Sequence, residues 1–198
     1  MLLGFTGTRG AGKTTIANLL VEHFGFTKLH AFGPGKAATV AYFQHLGIDP
    51  ETAYRCVYGD LKDVEHPLIP GDGLPRTFME EFGKFMGVTL GPDYTLGAEI
   101  ARAKRVDPKA KFVIESVVYE AAYFKKLGGF IIRVERAQNE GKIVGMHTDD
   151  AVNKLIADFR FSNNSDDMAE TLLQLGNLVE FLTDSNAILS TSFPDVGG

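Results

Sequence analysis

Two hydrophobic periods alternate along this chain. Residues 1–6 (MLLGFT) form a continuous apolar run suited to a buried strand, and residues 15–24 (TIANLLVEHF) set Ile16, Leu19, Leu20 and Phe24 on one helical face. Residues 26–32 are short and β-prone, and Gly33-Pro34-Gly35 breaks them before a helical pattern resumes over 36–46. Asp49 as N-cap and Pro50 at the first helical position predict a third helix. From 59 to 75 periodicity is lost among Pro67, Pro70, Gly71, Gly73 and Pro75, a loop long enough for a binding loop or lid. The stripe Phe78, Met79, Phe82 and Phe85/Met86 predicts a helix over 76–86 facing the core, and another helix follows over 94–105. Residues 111–114 (KFVI) read as a buried strand that delivers Glu115 at its carboxyl end, the edge where parallel α/β sheets bind ligands. A short helix (119–127), a strand (130–134), a polar stretch (137–147), a helix (149–157), an edge strand (159–161) and an amphipathic helix (166–182) complete the pattern, with a frayed tail from Ser185. The alternation predicts one α/β domain over 1–198, its parallel sheet flanked by helices on both faces.

Composition narrows the function classes. With 198 residues, 44% hydrophobic and 23% charged, the chain can bury a core without staples. A single cysteine, Cys56, excludes an internal disulfide and a cysteine metal site and reads as a small buried residue. No apolar run reaches the roughly 20 residues of a spanning helix and no basic leader precedes the first strand, so no membrane role and a cytoplasmic location are the expectations. A net charge of −5 without a basic block disfavours nucleic acid as partner and favours a small ligand.

Candidate chemistry concentrates near the N-terminus. Gly7-Thr8-Arg9-Gly10-Ala11-Gly12-Lys13-Thr14 fits G-x-x-x-x-G-K-[ST] between a strand and a helix, the setting of a phosphate-binding P-loop. Glycines let backbone N–H groups turn inward, and the helix dipole adds positive potential. The expected ligand is ATP, held by the backbone of Gly7, Gly10, Ala11, Gly12 and Thr15. Lys13 would reach its β- and γ-phosphates, and Thr14 would offer a hydroxyl to Mg²⁺. Arg9 either contacts the donor phosphates or projects into solvent. Glu115 is a second candidate metal ligand. A guanine-reading N-K-x-D is not found, since Asn153-Lys154 runs into Leu155-Ile156, which argues against a GTPase switch.

These motifs and those that follow resemble the phage-type deoxynucleoside monophosphate kinases, within the P-loop nucleoside monophosphate kinase superfamily, over nearly the whole chain. Ala31-Phe32-Gly33-Pro34-Gly35-Lys36 is similar to that family's FADPLK segment, Pro75-Arg76 with residues 79–83 to PR..MQ..GT, and residues 120–136 to NEA..IK..GG.VIRIER. His147, residues 157–159 and Asn163-Asn164 follow its C-terminal pattern. The resemblance implies a P-loop kinase-type three-layer fold, a monophosphate-binding insertion at about 35–105 and a lid at about 136–148. It implies ATP-dependent phosphorylation of a deoxynucleoside monophosphate in the cytoplasm, that of the host if the chain is phage-encoded, and leaves a homodimer open. Lys13, Arg76 and Arg136 would be catalytic, and Lys36, Arg76, Tyr94 and Glu115 would bind substrate. Two family arginines are missing, at Val88 and in the Val117/Val118 region. Another small-molecule P-loop kinase, or a degenerate nucleotide-binding protein with little turnover, are the alternatives.

Overall fold

A computed structural model describes residues 1–137, 152–165 and 167–192, with side chains up to 184. Its centre is a five-stranded sheet in the order β2-β3-β1-β4-β5. The strands are β1 (Leu2–Thr6), β2 (Phe26–Leu29), β3 (Lys111–Ile114), β4 (Phe130–Glu135) and β5 (Phe159–Ser162), every pair parallel. Each parallel connection needs a crossover, which the helical stretches between strands supply.

Strand alternation splits the core in two. Leu3, Phe5, Val113, Ile132 and Val134 face α1 (Lys13–Phe24) and the C-terminal helix α7 (Met168–Ser192), which brings in Leu175 and Leu182. Their neighbours Leu2, Phe112, Ile114 and Ile131 point to the other face, against Leu96 and Ile100 of α5 (Leu96–Val106) and Phe124 of α6 (Ala121–Lys126). Gly4 allows the close approach there, because a Cβ on it would lie 2.7 Å from Val117 and 2.8 Å from Phe124.

A third cluster sits apart from the sheet. Phe43 of α2 (Gly33–His45) packs with Ala53, Cys56 and Val57 of α3 (Pro50–Tyr58), closed by Ile69 from the long loop. Asp49 caps α3 by accepting from the Thr52 N–H at 3.0 Å, with Pro50 following, as the sequence predicts. Cys56 is buried within this cluster.

Six sequence expectations are corrected. Gly33-Pro34-Gly35, read as a break, open α2, and of the helix expected over 149–157 the described residues are helical only at 152–154. Residues 30–32 leave the sheet, since β2 ends at Leu29. The helix of 76–86 is α4 (Pro75–Lys84), and Phe85–Leu90 continue it as a π-helical turn. Its aromatic stripe is not fully buried: Phe78 stacks on Tyr42 at 5.1 Å and Phe82 meets Phe32 edge-on at 5.8 Å, while Phe85 is 47% exposed. Phe78 and Met79 pack on the satellite core while Met79 also lines a cavity and Phe85 is exposed, so periodicity could not tell these environments apart. Finally, the expected tail from Ser185 is helical through Ser192.

Candidate functional site

The glycine loop leaves β1 at the middle of the sheet. Gly7, Gly10 and Gly12 have φ of 136°, 79° and 96°, a region that side-chain-bearing residues rarely adopt. At Gly7 a Cβ would lie 2.4 Å from the Val134 carbonyl, and at Gly12 it would lie 2.1 Å from Asn163 Nδ2. The first turn of α1 carries neither a capping side chain nor an acid. Its backbone N–H groups and dipole are therefore arranged for an anion.

Lys13 folds over the loop, its Nζ donating to the carbonyls of Gly7 and Thr8, 2.8 Å each. Just past β5, Asn163 Nδ2 donates to the Ala11 carbonyl at 2.9 Å, and the Asn163 N–H donates to the Glu135 carbonyl at 2.8 Å. Asn163 is thus a strut under the loop. Asn164 instead accepts from the Ala137 N–H at 2.7 Å. Gly12→Ala should lower the unfolding midpoint by several degrees and abolish nucleotide binding, because both the positive φ and the contact with Asn163 oppose a Cβ. Adding Asn163→Ala should recover only part of the loss, as differential scanning calorimetry of the single and double variants would read. Full recovery would mean that the backbone conformation of the loop is unimportant.

Next to the loop, at the carboxyl end of β3, lies a cavity of about 360 Å³. Its polar lining includes Lys36, Lys62, Arg76, Lys84, Glu115 and Glu120, and Phe32, Met79 and Val118 supply apolar wall. Arg76, in the first turn of α4, forks onto Asp63, with Nη2 at 2.7 Å from Oδ2 and Nε on Oδ1. That fork holds the Asp63 carboxyl below its ordinary range. Arg9 of the glycine loop reaches the same carboxylate at 3.4 Å. Asp63 therefore joins the loop to the cavity wall.

Glu115 stands where the sequence puts it, just past β3. Lys28 Nζ and His30 Nε2 each lie 3.8 Å from it, and its Oε2 is buried without a hydrogen-bond donor. His30 accepts from the Phe32 N–H through Nδ1. Burial, reinforced by Lys36, Lys62 and Lys28, depresses the His30 imidazole to about 3, so it is neutral at physiological pH. Its contact with Glu115 is then no ion pair. Burial also lowers the Lys36 ammonium to about 8, with Lys62 and Lys28 adding to the effect and Glu115 opposing it. Lys36 Nζ sits 5.5 Å from the centre of the Tyr58 ring. His30, Lys36 and Glu115 are shared with a neighbouring cavity of about 630 Å³ that Arg102 and Arg105 also line.

The structure brings Lys36, Arg76 and Glu115 together in one cavity lining and links Arg9 to it through Asp63. It does not bring Tyr94, which is 61% exposed and lines neither cavity. Thr14 and Thr15 are exposed in the first turn of α1. Arg136 is half-buried just past β4, whereas Arg133 points away and donates to the carbonyls of Val152 and Leu155 at 2.8 and 2.6 Å. His147 and the lid expected at 136–148, apart from its first two residues, lie outside the described residues. Asp63, Lys62, His30 and Glu120 were not expected at the site. Asp63 and Lys62 come from the loop that lacks periodicity, and no local pattern marks an aspartate there as the partner of Arg9 and Arg76.

No family model matches this sequence. Over 154 residues it is 28% identical to an Acanthamoeba polyphaga mimivirus protein named "Putative deoxynucleotide monophosphate kinase", spanning 69% of this chain and 74% of that one. The crystal structure of TT1252 from Thermus thermophilus aligns over 90% of this chain and 95% of its own, with a TM-score of 0.47 and 16% identity. In sequence, the chain is similar to a protein named as a kinase of deoxynucleotide monophosphates.

Proposed function

We propose that this protein transfers the γ-phosphoryl group of ATP to a deoxynucleoside monophosphate. The observation that carries this reading is the juxtaposition of a glycine loop heading α1 with a cation-lined cavity, tied by Asp63 through Arg9 and Arg76. A phosphoryl donor on the loop and an acceptor phosphate at Arg76 would then meet across a short gap. The name of the mimivirus relative supports a nucleotide kinase role.

The chemistry asks for alignment and positive charge, since the acceptor is already an anion and no general base is needed. Lys13 and the N–H groups of the loop hold the donor. Arg76, Lys36 and Lys62 hold the acceptor phosphate, and Arg136, just past β4, would be the catalytic arginine of the lid. Thr14 and Glu115 would hold Mg²⁺, and the buried, donor-free Oε2 of Glu115 fits a cation that takes few protein ligands. Bound there, the metal would supply neutralising charge to the phosphates. Of the positions where relatives carry arginines, Val88 is 60% exposed and Val118 lines the cavity without charge. Lys62 supplies a cation in the same cavity lining, which favours a working kinase over a degenerate one. ADP release measured across ribo- and deoxyribonucleoside monophosphates tests the reading. ATP binding with no transfer to any of them would overturn it.

The depressed Lys36 gives a pH dependence. Below about 8 its ammonium is charged and attracts the acceptor phosphate; as pH rises through about 8 the charge is lost and KM for the monophosphate should rise. Tyr58, Glu115, Lys28 and Lys62 surround it, and an arginine there would stay charged throughout. Lys36→Arg should therefore flatten the alkaline limb of the KM profile. An identical limb in the variant would assign the titration to another group.

A further inference from the structure

The cavity has a direction set by α4. Arg76 lies in the first turn of this helix, on the side tied to the glycine loop by Asp63. Gly83 lies seven residues on, about 10 Å along the axis. There a Cβ would stand 3.7 Å from the Phe32 ring, so the helix backbone and Phe32 form a close, flat wall. Beyond it the π-helical turn places buried Gly87 beside Glu120, with 3.4 Å between its Cβ position and Glu120 Oε1. Cation, aromatic wall and acid thus follow one another along the helix, the order of a nucleotide's phosphate, ring and polar base edge.

Glu120 has no part in the transfer chemistry, yet it lines the cavity and is only 6% exposed. Its carboxyl accepts from the Val118 N–H at a long 3.4 Å, and its own N–H lies close to it. Burial, opposed by the N–H groups of Glu120 and Val118, pushes this carboxyl above its ordinary range. Neither of its oxygens is among the described buried atoms left without a partner, so the carboxyl opens on the cavity, where a ligand can add donors.

Resting on the monophosphate-kinase reading, we propose that Glu120 reads the base edge of the acceptor and selects guanine. A carboxylate can only accept. Guanine presents two neighbouring donors, N1–H and N2–H₂, on its Watson–Crick edge; adenine and thymine alternate donor and acceptor there, and cytosine follows one donor with two acceptors, so none of the three offers two donors side by side. Those three would set an acceptor against a carboxylate oxygen, and a site built to pair with donors rejects bases that lack them.

The test begins with the unaltered protein. Deoxyguanosine monophosphate should exceed deoxyinosine monophosphate, which lacks the 2-amino group, by roughly 10- to 100-fold in kcat/KM and in affinity measured by titration calorimetry. Glu120→Gln, whose amide offers one donor and one acceptor, should erase most of that advantage and raise the deoxyadenosine monophosphate rate relative to it. Equal use of the guanine and hypoxanthine nucleotides, or an unchanged base order in Glu120→Gln, would overturn the assignment. Transfer with a flat base order sinks Glu120 alone. Guanine-selective binding with no transfer sinks the kinase reading and leaves the base assignment standing. Should the variant fail to fold, the comparison of the two purines in the unaltered protein decides.

Discussion

Lys13→Ala is expected to lower turnover by 10²- to 10³-fold or more, the usual consequence of removing a donor aimed at developing charge. The structure adds a second role. Its ammonium donates to the Gly7 and Thr8 carbonyls, so the same side chain braces the loop that it would serve in catalysis. With ATP bound, exchanging a loop carbonyl for a phosphate oxygen keeps the ammonium hydrogen-bonded, which makes the move inexpensive. Lys13 is absent from the buried clusters, so the variant should keep its far-ultraviolet circular dichroism and melt only a few degrees lower. Retention of more than about a tenth of wild-type turnover would contradict a phosphate-directed lysine. Native turnover with a large fall in melting temperature would reduce Lys13 to a brace.

Arg76→Ala should reduce kcat/KM for the monophosphate by roughly 30- to 5000-fold, the range for a charge-assisted contact whose partner is left unmatched. Binding of ATP should barely change, since the donor rests on Lys13 and the loop. The fork to Asp63 orients the guanidinium before any ligand arrives. Asp63→Asn keeps one acceptor oxygen for Arg76, so its loss should be smaller than that of Arg76→Ala. Titration calorimetry of both nucleotides into each variant separates the two sides of the site. Equal loss of ATP and monophosphate binding, or loss of neither, would remove Arg76 from the acceptor phosphate. Lys62 on the same cavity lining would then be next, ahead of Arg102 and Arg105, which line the neighbouring cavity.

Much of the fold follows from local pattern. The run at 111–114 is β3 residue for residue, the Asp49-Pro50 start is a capped helix, and alternation within β1 divides Leu2 from Leu3 between opposite faces. Such features depend on neighbours a few residues apart, where side-chain periodicity and capping are set by the chain itself. Boundaries were less legible where one helix carries both core and partly exposed rings, as along Phe78, Phe82 and Phe85, or where a helix runs on past the last periodic apolar position, as α7 does beyond Ser185.

By itself, then, the sequence determined the alternating α/β order, the glycine loop between strand and helix, and the acid that ends β3. Each needs only residues adjacent in the chain. Tertiary structure alone decided how that loop is braced and what surrounds the cavity. Asn163 meets Ala11 across 152 positions, and Asp63 meets Arg9 across 54. It also took Tyr94 away from the cavity and buried Glu120 within it. These relations arise when β5 is laid beside β4 and the long loop is folded over α3. A hydrogen bond between distant residues leaves no period in the sequence, because its geometry is fixed by the packing of the elements that carry it.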